Sequence, residues 1–376
     1  MFLVFRVFLL LSVTSGYIHK GSIWVYNSQH KSVEKAGAIS GGGRYKILQK
    51  GGRCSGAYWY QLSTGHWVCS PYFITSKKSP GGLKNWIDHM FNRQYFSGTG
   101  NLTHLGVSLK KIKNGKWRKL SQLRGFLPSY KFLLGQEPYV KTFSGGYVSS
   151  RSIKPLKPSS LMGLNVKSDD FPVAFIISSQ AKLYKKSGGS YVPWKSIAKY
   201  SVRPVVKHSD GWYSVKYAPF AFLKPSDITV APKIPQLLSG VKEDEHWLHV
   251  DISEKIMYAM KGKNPVRIML FAASRKTMKG IHRIFLKRVY QNYDLQNVSD
   301  GYFLEAVPYV LYYNKGFAIH AAYWHDNFPI HETHGCINLS MKDARWLFTF
   351  MSPVFPRGYI ELRSRKGMGS RVRIVG

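Results

Sequence analysis

The sequence predicts a mainly β, multi-domain protein. At 376 residues the chain exceeds the size that one hydrophobic core ordinarily serves, so several folding units are expected. Short alternating segments such as "YWYQL" and "GWYSV" follow or precede glycine-rich turns, which is typical of β-strands. A hydrophobic share of 44%, with 15% aromatic residues, can fill such cores and excludes a disordered chain.

The first residues, 1–16, are predicted to be a signal peptide. Arg6 precedes the apolar run Val7 to Leu11, and the small residues Thr14 and Gly16 offer a cleavage site after Gly16. This run is too short to span a bilayer, and no later stretch reaches the roughly 20 apolar residues that a spanning helix needs. We therefore expect export to the periplasm or cell wall without a transmembrane segment. A buried N-terminal strand is the alternative.

The three cysteines fit an oxidising compartment. Cys54 and Cys69 flank a short aromatic hairpin that a disulfide could close. Cys336 is then left unpaired, either as a bystander or as a thiol that is kept free because it reacts.

A weak pattern recurs three times in the first part of the chain. An aromatic residue, a hydrophobic residue and an apolar residue six positions after the aromatic occur in "WVCSPYF", "YVSSRSI" and "FLKPSDI". The pattern resembles the closing strand and one-turn helix of bacterial SH3-like modules, which are small β-barrels. Coincidence among tryptophan-rich strands of an ordinary β-protein is the alternative. The predicted modules are residues 17–78, residues 79–165 with a linker, and residues 166–235.

A new domain is predicted from about residue 244. The proline-containing segment "APKIPQLLSG" reads as a linker, and "WLHVDISEKIMYAMKGKNPVRIMLFAAS" after it reads as a hairpin with a turn at "KGKNP". In "SMKDARWLFTFM" a helix is indicated by Ser340 as N-cap, Asp343 in the first turn and Pro353 beyond the end. The tail is expected to be a strand, a glycine turn and a strand.

The segment "THGCIN" concentrates reactive side chains. If it is extended, His334, Cys336 and Asn338 alternate with their neighbours and face one side. An imidazole, a thiol and an amide are the groups that cysteine acyl-transfer enzymes use. A free thiol is mostly protonated at neutral pH, so a neighbouring imidazole is needed to make it reactive. His320, which ends an apolar run in "AIHAAYWHDNF", is a second histidine that could reach the thiol.

Taken together, "IHAAYWHDNFPIHETHGCINLSMKDARWLF" resembles the signature of L,D-transpeptidase catalytic domains over about residues 244–376. The resemblance implies a β-sandwich that cleaves the bond between the third and fourth residues of a peptidoglycan stem. It makes Cys336 the nucleophile and His320 the base. The remaining site residues that it implies are the Ala321 carbonyl for the imidazole tautomer, His334 and the Gly335 amide near the oxyanion, and Thr333, Asn338, Tyr323 and Trp324 in binding or supporting positions.

Two segments depart from the family pattern. "TMKGIHRI" stands where the family usually has a "TPTGTFRI"-like strand, with Met278 for proline and His282 for the aromatic residue. "PIHE" stands where relatives have "GRPM". Both departures bear on the substrate groove rather than on the catalytic positions.

Besides a catalytic nucleophile, Cys336 could be a structural cysteine or a metal ligand. A buried structural cysteine would not require the neighbouring Thr-His-Gly and Asn. A zinc site could use His320, His325, His331 or His334 with the thiol, but the paired spacing of dedicated zinc sites is missing. We therefore expect no metal and no cofactor.

The basic charge lies mainly in the first part of the chain. Of the formal net charge of +36, residues 1–243 contribute 36 Lys and Arg against 8 Asp and Glu, and residues 244–376 contribute 19 against 11. Such a surface favours anionic partners, and for an exported protein these are wall polymers or lipid phosphates rather than nucleic acid. A general aid to solubility is the alternative.

The sequence as a whole predicts a cell-wall enzyme that forms a thioester on tetrapeptide stems. An amine acceptor would make it an L,D-transpeptidase, whereas water would make it an L,D-carboxypeptidase. A catalytically silent wall-binding protein is the alternative from a different class, and the complete Cys, His and Asn set argues against it.

Overall fold

The computed structural model describes residues 15–19, 21–29, 34–98, 104–105, 118–119, 123–126, 128–134, 137–143, 145–294, 302–330 and 333–376. Within these ranges the protein is mainly β, as the sequence predicts. The α-helices found there are α1 Trp86–Phe91 and α2 Met341–Phe350. No helix in these ranges has the length and apolar character required to cross a membrane.

The N-terminal strands pair in the order β7-β1-β4-β5-β6-β2-β3. Cys54, at the end of the fourth strand, forms a disulfide with Cys69 just after the sixth, which is the pairing expected from the sequence. The predicted cleavage point after Gly16 lies inside the first strand. The strands are β1 Ser15–Ile18, β2 Ser22–Tyr26, β3 Lys35–Ser40, β4 Tyr45–Cys54, β5 Ala57–Leu62, β6 Trp67–Val68 and β7 Phe73–Ser76.

The following segment contributes small sheets and two strands, β11 and β16, that pair with strands of the C-terminal part of the chain. β13 pairs with β12 on one side and with β14 on the other, β8 pairs with β15, and β9 pairs with β10. The strands are β8 Phe96–Gly98, β9 His104–Leu105, β10 Arg118–Lys119, β11 Leu123–Gly125, β12 Pro128–Leu134, β13 Glu137–Thr142, β14 Tyr147–Ser149, β15 Ile153–Pro155 and β16 Leu164–Asn165.

Residues 173–231 form a separate antiparallel sheet in the order β19-β18-β22-β21-β20-β17-β23. Its core contains Ala174, Val205 and Leu223. The SH3-like boundaries proposed for this segment and for the two before it remain predictions. The strands are β17 Val173–Ile176, β18 Lys182–Ser187, β19 Ser190–Ser196, β20 Val202–Lys207, β21 Tyr213–Val215, β22 Ala218–Leu223 and β23 Ile228–Ala231.

The C-terminal part is built from two sheets. One runs β16-β26-β25-β24-β33-β27, and the other begins β31-β30-β29-β28-β32 and continues into the N-terminal strands. The strands are β24 His246–Asp251, β25 Ile256–Lys261, β26 Asn264–Leu270, β27 Gly280–Arg283, β28 Leu286–Asp294, β29 Phe303–Asn314, β30 Phe317–Ala321, β31 Ile337–Leu339, β32 Tyr359–Arg363 and β33 Arg371–Val375.

A common core joins these two sheets and helix α2. Leu248 and Met257 of the first sheet, Leu311 and Ile319 of the second and Leu347 of the helix are all fully buried in one cluster. Complete burial of one such side chain is worth about 1.5–3 kcal/mol, so this cluster is what holds the sheets face to face. The arrangement positions β30 and β31, which carry the candidate site.

Local sequence signals account for the ends of several elements. Ser340 caps α2 by accepting a hydrogen bond from the Asp343 amide at 3.1 Å, and the helix stops before Pro353, as predicted. The segment predicted as one hairpin is three strands, β24 to β26. Its expected turn lies at Gly262, where φ is +55° and a Cβ atom would stand 2.4 Å from the Glu243 carbonyl oxygen.

Candidate active site

Parallel pairing of β30 with β31 brings two distant segments of the sequence together. Ile319 lies opposite Ile337, and His320 lies opposite Asn338. Because side chains alternate along a strand, Cys336, two residues before Asn338, shares the sheet face of Asn338 and His320. The imidazole and the thiol are therefore on one surface of one sheet.

Cys336 is a free thiol immediately before this strand. Its Sγ atom lies 3.9 Å from the Gly316 carbonyl oxygen, and the side chain is partly exposed. The protein packed around it raises the pKa of the thiol, and a contact with the Ala318 backbone acts weakly in the opposite direction. The resting side chain is therefore the neutral thiol at neutral pH.

His320 is a buried, neutral imidazole with a fixed tautomer. The side chain is 4% exposed, and burial lowers its pKa to about 4. Its Nδ1 atom lies 3.1 Å from the Ala321 carbonyl oxygen, which can only accept, so Nδ1 carries the proton. The Nε2 lone pair is then free to accept a proton, as a general base requires.

The turn before Cys336 depends on threonine and glycine. Thr333 Oγ1 donates to the Cys336 carbonyl oxygen at 2.6 Å and accepts from the Gly335 amide at 3.1 Å. Gly335 has φ of +127°, and a Cβ atom there would lie 2.6 Å from a Phe317 ring carbon. The chain is consequently not extended across this glycine, and the alternation expected from His334 through Asn338 begins only after it. His334 is exposed, near the ring of Tyr302 at 5.4 Å.

The family model of the L,D-transpeptidase catalytic domain (YkuD) matches residues 245–374. The chain carries an L,D-transpeptidase catalytic domain. The match covers the paired strands β30 and β31, the turn and the helix that follows them.

Solved L,D-transpeptidases overlap the chain only loosely. The enzyme from Xylanimonas cellulosilytica is 17% identical, with 36% of this chain and 62% of that chain covered and a TM-score of 0.25. L,D-transpeptidase 1 of Mycobacterium tuberculosis is 22% identical, with 35% and 62% covered and a TM-score of 0.27. The enzyme from Mycobacterium smegmatis is 14% identical, with 65% and 92% covered and a TM-score of 0.29. No curated protein matches the chain.

The remaining predicted residues of the L,D-transpeptidase domain differ in their surroundings. Asn338 is buried, and its Nδ2 atom lies 3.2 Å from Nε2 of His325, which the sequence suggested only as a possible zinc ligand. Tyr323 is fully buried, donates to the Glu305 carbonyl oxygen at 2.6 Å and stacks on Tyr95. It therefore supports the site from the core. Trp324 is partly exposed, with its ring centroid 5.9 Å from that of His320.

Three tyrosines near the thiol were not identified from the sequence. Burial raises the pKa of Tyr293, Tyr312 and Tyr313, and a charge on Cys336 would raise each further. The ring of Tyr293 also lies 5.2 Å from that of His320. No motif contains these residues, and only their place at the ends of long β-strands could have suggested them.

A zinc site is the alternative interpretation of the histidine-rich segment. Within the part of the chain that the structure describes, no group of three or more His, Cys, Asp or Glu side chains could hold a metal ion. His331, one of the residues considered as a ligand, lies outside the described residues.

Proposed function

We propose that the protein is a peptidoglycan L,D-transpeptidase that acts through a thioester on Cys336. The observation that carries the proposal is the pairing of the His320 and Cys336 strands, which brings a neutral base with a fixed tautomer to the sheet face of a free thiol. The catalytic-domain match over residues 245–374 supports the same chemistry.

In the first half-reaction the thiol sulfur attacks the carbonyl carbon of the third stem residue while its proton passes to Nε2 of His320. The tetrahedral intermediate then collapses, and the bond to the terminal D-amino acid breaks. The proton on His320 goes to the leaving amine, and a thioester remains. Because the thiol pKa is raised and the imidazole pKa is lowered, proton transfer accompanies attack instead of preceding it.

The oxyanion is held by backbone amides around the nucleophile in our proposal. The Gly335 amide already donates to Thr333 Oγ1 at 3.1 Å, so the Cys336 amide is the first candidate, with His334 beside it. In the second half-reaction an acceptor amine attacks the thioester carbonyl carbon and loses a proton to His320. The carbon–sulfur bond then breaks, the proton returns to the Cys336 sulfur, and a new amide is released. Water in place of the amine would give an L,D-carboxypeptidase.

We infer that these reactions take place outside the cytoplasm. The N-terminal sequence that reads as a signal peptide and the disulfide between Cys54 and Cys69 support export to the periplasm or cell wall. The basic first part of the chain supports contact with anionic wall or envelope polymers.

The test uses the full chain and a purified disaccharide-tetrapeptide, with the products resolved by mass spectrometry. We expect loss of the terminal D-amino acid and a cross-linked dimer. Cys336→Ser should abolish both without lowering the melting temperature, because only the nucleophile changes. Turnover that persists in Cys336→Ser would refute the proposal, and a trimmed monomer without dimer would establish the carboxypeptidase alternative. Inertness of the wild type would favour the wall-binding alternative.

A further inference from the structure

A groove of about 340 Å³ lies where the N-terminal strands meet the catalytic sheet. Trp24 and Ala38 line it from β2 and β3, and Arg288, Tyr290, Gln291 and Glu361 line it from β28 and β32. The proposed mechanism does not use this groove, and two of its lining residues, Trp24 and Ala38, lie outside the catalytic-domain match.

The groove lies on a single row of cross-strand neighbours. Arg288 is opposite Glu361, Glu361 is opposite Ala38, and Ala38 is opposite Trp24. Residues that lie directly opposite each other in antiparallel strands project from the same face of a sheet. Four strands from two parts of the chain thus contribute to one surface.

This is also the face that carries the catalytic pair. Tyr312 is opposite both Leu286 and Ala318. Leu286 is two residues from Arg288, and Ala318 is two residues from His320, so alternation puts all five side chains on one side. The Arg288 guanidinium carbon lies 5.9 Å from the centroid of the Tyr312 ring, which agrees with this placement.

The separation suits the substrate. Arg288 lies on the third strand from that of Cys336, and at roughly 4.8 Å per strand and 3.3 Å per residue the two Cα atoms are about 16 Å apart. When the third residue of a stem is bound to the sulfur, three extended residues cover roughly 10 Å before the sugar begins. The sugar therefore begins roughly 6 Å short of Arg288, and a disaccharide that continues outward from that point reaches the groove.

The chemistry of the groove suits a neutral, polar ligand. Glu361 is 6% exposed and pairs with Arg288 through Oε2 at 2.7 Å, which offsets the guanidinium charge. Glu361 Oε1 accepts no hydrogen bond from the described residues, although an Arg363 nitrogen lies 3.3 Å away. Gln291 accepts from Arg288 through its side-chain oxygen. The Arg288 side chain is 29% exposed and can donate to sugar hydroxyls, whereas the buried Glu361 carboxylate balances its charge.

Aromatic rings complete the recognition surface. Trp24 is 37% exposed with Lys35 at 4.2 Å from its ring centroid, and Tyr290 also lines the groove. The apolar face of a pyranose ring packs on such rings, whereas an anionic polymer would meet the Glu361 carboxylate.

We propose that this groove binds the glycan strand of the donor substrate, an N-acetylated disaccharide, while its stem peptide extends over Tyr312 to Cys336. The inference rests on the proposed function for the identity of the substrate. It makes Trp24, which lies more than 200 positions before the catalytic-domain match, a determinant of substrate preference.

The test compares two substrates, a disaccharide-tetrapeptide and the free tetrapeptide, with the full chain. The wild type should show a higher kcat/KM for the disaccharide-tetrapeptide. Trp24→Ala should reduce that preference by roughly tenfold, mainly through KM, because one aromatic contact is lost. Tyr72→Ala, another exposed aromatic residue of the N-terminal strands, should leave the preference unchanged. Trp24→Leu keeps apolar bulk without an aromatic ring and should show the same loss of preference. It decides the test if Trp24→Ala folds poorly.

Equal use of the two substrates by the wild type, or an unaltered preference in both Trp24 variants, would overturn the groove assignment and leave the proposed function intact. If the wild type turns over neither substrate, the proposed function fails, and the groove is then judged by binding alone. For that purpose full-chain Cys336→Ala is titrated with N,N′-diacetylchitobiose by calorimetry. Binding that Trp24→Ala weakens supports the groove, and absence of binding refutes it.

Discussion

At the scale of single residues, the site keeps both reactive groups neutral before substrate binds. The pKa of His320 is lowered to about 4 by burial, and burial raises that of Cys336 above its ordinary value of 9.0. A thiolate and imidazolium pair needs the opposite order of these two pKa values. In the proposed mechanism the thiolate is thus generated only as it attacks, and the resting thiol is protected from oxidation and alkylation.

Alkylation kinetics test this neutral resting state. The rate of reaction of Cys336 with iodoacetamide in the full chain should rise steadily through neutral pH and beyond pH 9, because only the thiolate reacts. Cys336→Ala provides the blank. A rate that reaches a plateau between roughly pH 5 and 7 would reveal a preformed thiolate and imidazolium pair and contradict the proposed order of steps.

Protonation of His320 at acidic pH should destabilise the folded protein. Its folded pKa of about 4 lies below the ordinary value of 6.5, so the unfolded chain binds more protons between these pH values. The corresponding stability is complete above pH 6.5 and is lost as pH falls towards 4. His320→Gln should remove this part of the pH dependence of unfolding in urea, together with activity. His19→Gln, an exposed control, should leave the pH dependence and activity as in the wild type. An unchanged slope in His320→Gln would contradict the assignment.

At the scale of elements, helix α2 is held at both ends by buried ionic side chains. At its start Asp343 pairs with Arg267 at 2.9 Å and accepts from the Gly163 amide. At its end Lys287 is fully buried and donates to the carbonyl oxygens of Phe348, Met351 and Pro353 at 2.6–2.8 Å. The helix packs on β29 and β30 and so fixes the strand that carries His320.

Replacement of Lys287 by methionine should lower the free energy of unfolding by roughly 2–4 kcal/mol, because buried carbonyl groups lose their donor. Burial lowers the pKa of Lys287 to about 7, so wild-type stability should also rise as pH increases from 7 towards 10.5, and the variant should lose this rise. Lys342→Met, on the exposed side of the same helix, is the matched control. The free energy of unfolding in urea is measured for both variants. A Lys287→Met variant as stable as Lys342→Met would contradict the prediction.

The sequence was sufficient for features that local signals determine. Helix α2 follows from Ser340 and Asp343, and the free thiol follows from the pairing of Cys54 with Cys69. The parallel pairing of His320 with Asn338 could not be derived, since a register between strands sixteen residues apart depends on the common core. For the same reason, no sequence pattern indicated that Tyr312 and Trp24 lie near the site. They are connected to it only through cross-strand neighbours.

At the scale of the whole molecule, the predicted boundary at residue 244 does not separate independent structures. β3 pairs with β32, β16 with β26 and β11 with β29, so three earlier segments extend the catalytic sheets. Removal of residues 1–243 would expose the edges of β32 and β26, and exposed edges favour aggregation.

We therefore expect the fragment 244–376 to melt at a lower temperature than the full chain and to aggregate. Circular dichroism and sedimentation measure the two properties. The control is a full chain cleaved at a protease site inserted after residue 243, which keeps both pieces present. A soluble fragment as stable as the full chain would show that the sheet continuity contributes little.

We expect the basic charge of the first part of the chain to act mainly through the hairpin of β18 and β19. The hairpin of β18 and β19 presents exposed lysines beside aromatic rings, with Lys185 Nζ 4.0 Å from the ring centroid of Trp194, which is 47% exposed. Such a surface combines attraction to anionic polymers with apolar contact. Full-chain Cys336→Ala should pellet with sacculi at low salt and dissociate steeply as salt rises, because exposed charges are screened over about 8 Å at physiological ionic strength.

Glutamine at four hairpin lysines should weaken this pelleting more than glutamine at four exposed lysines of the catalytic domain. The hairpin set is Lys182, Lys185, Lys186 and Lys195, and the control set is Lys261, Lys263, Lys342 and Lys366. Both sets remove the same charge, so a difference between them reports position rather than net charge. Equal weakening would mean that the charge acts only as a whole, and no dependence on salt would mean that it serves solubility instead of targeting.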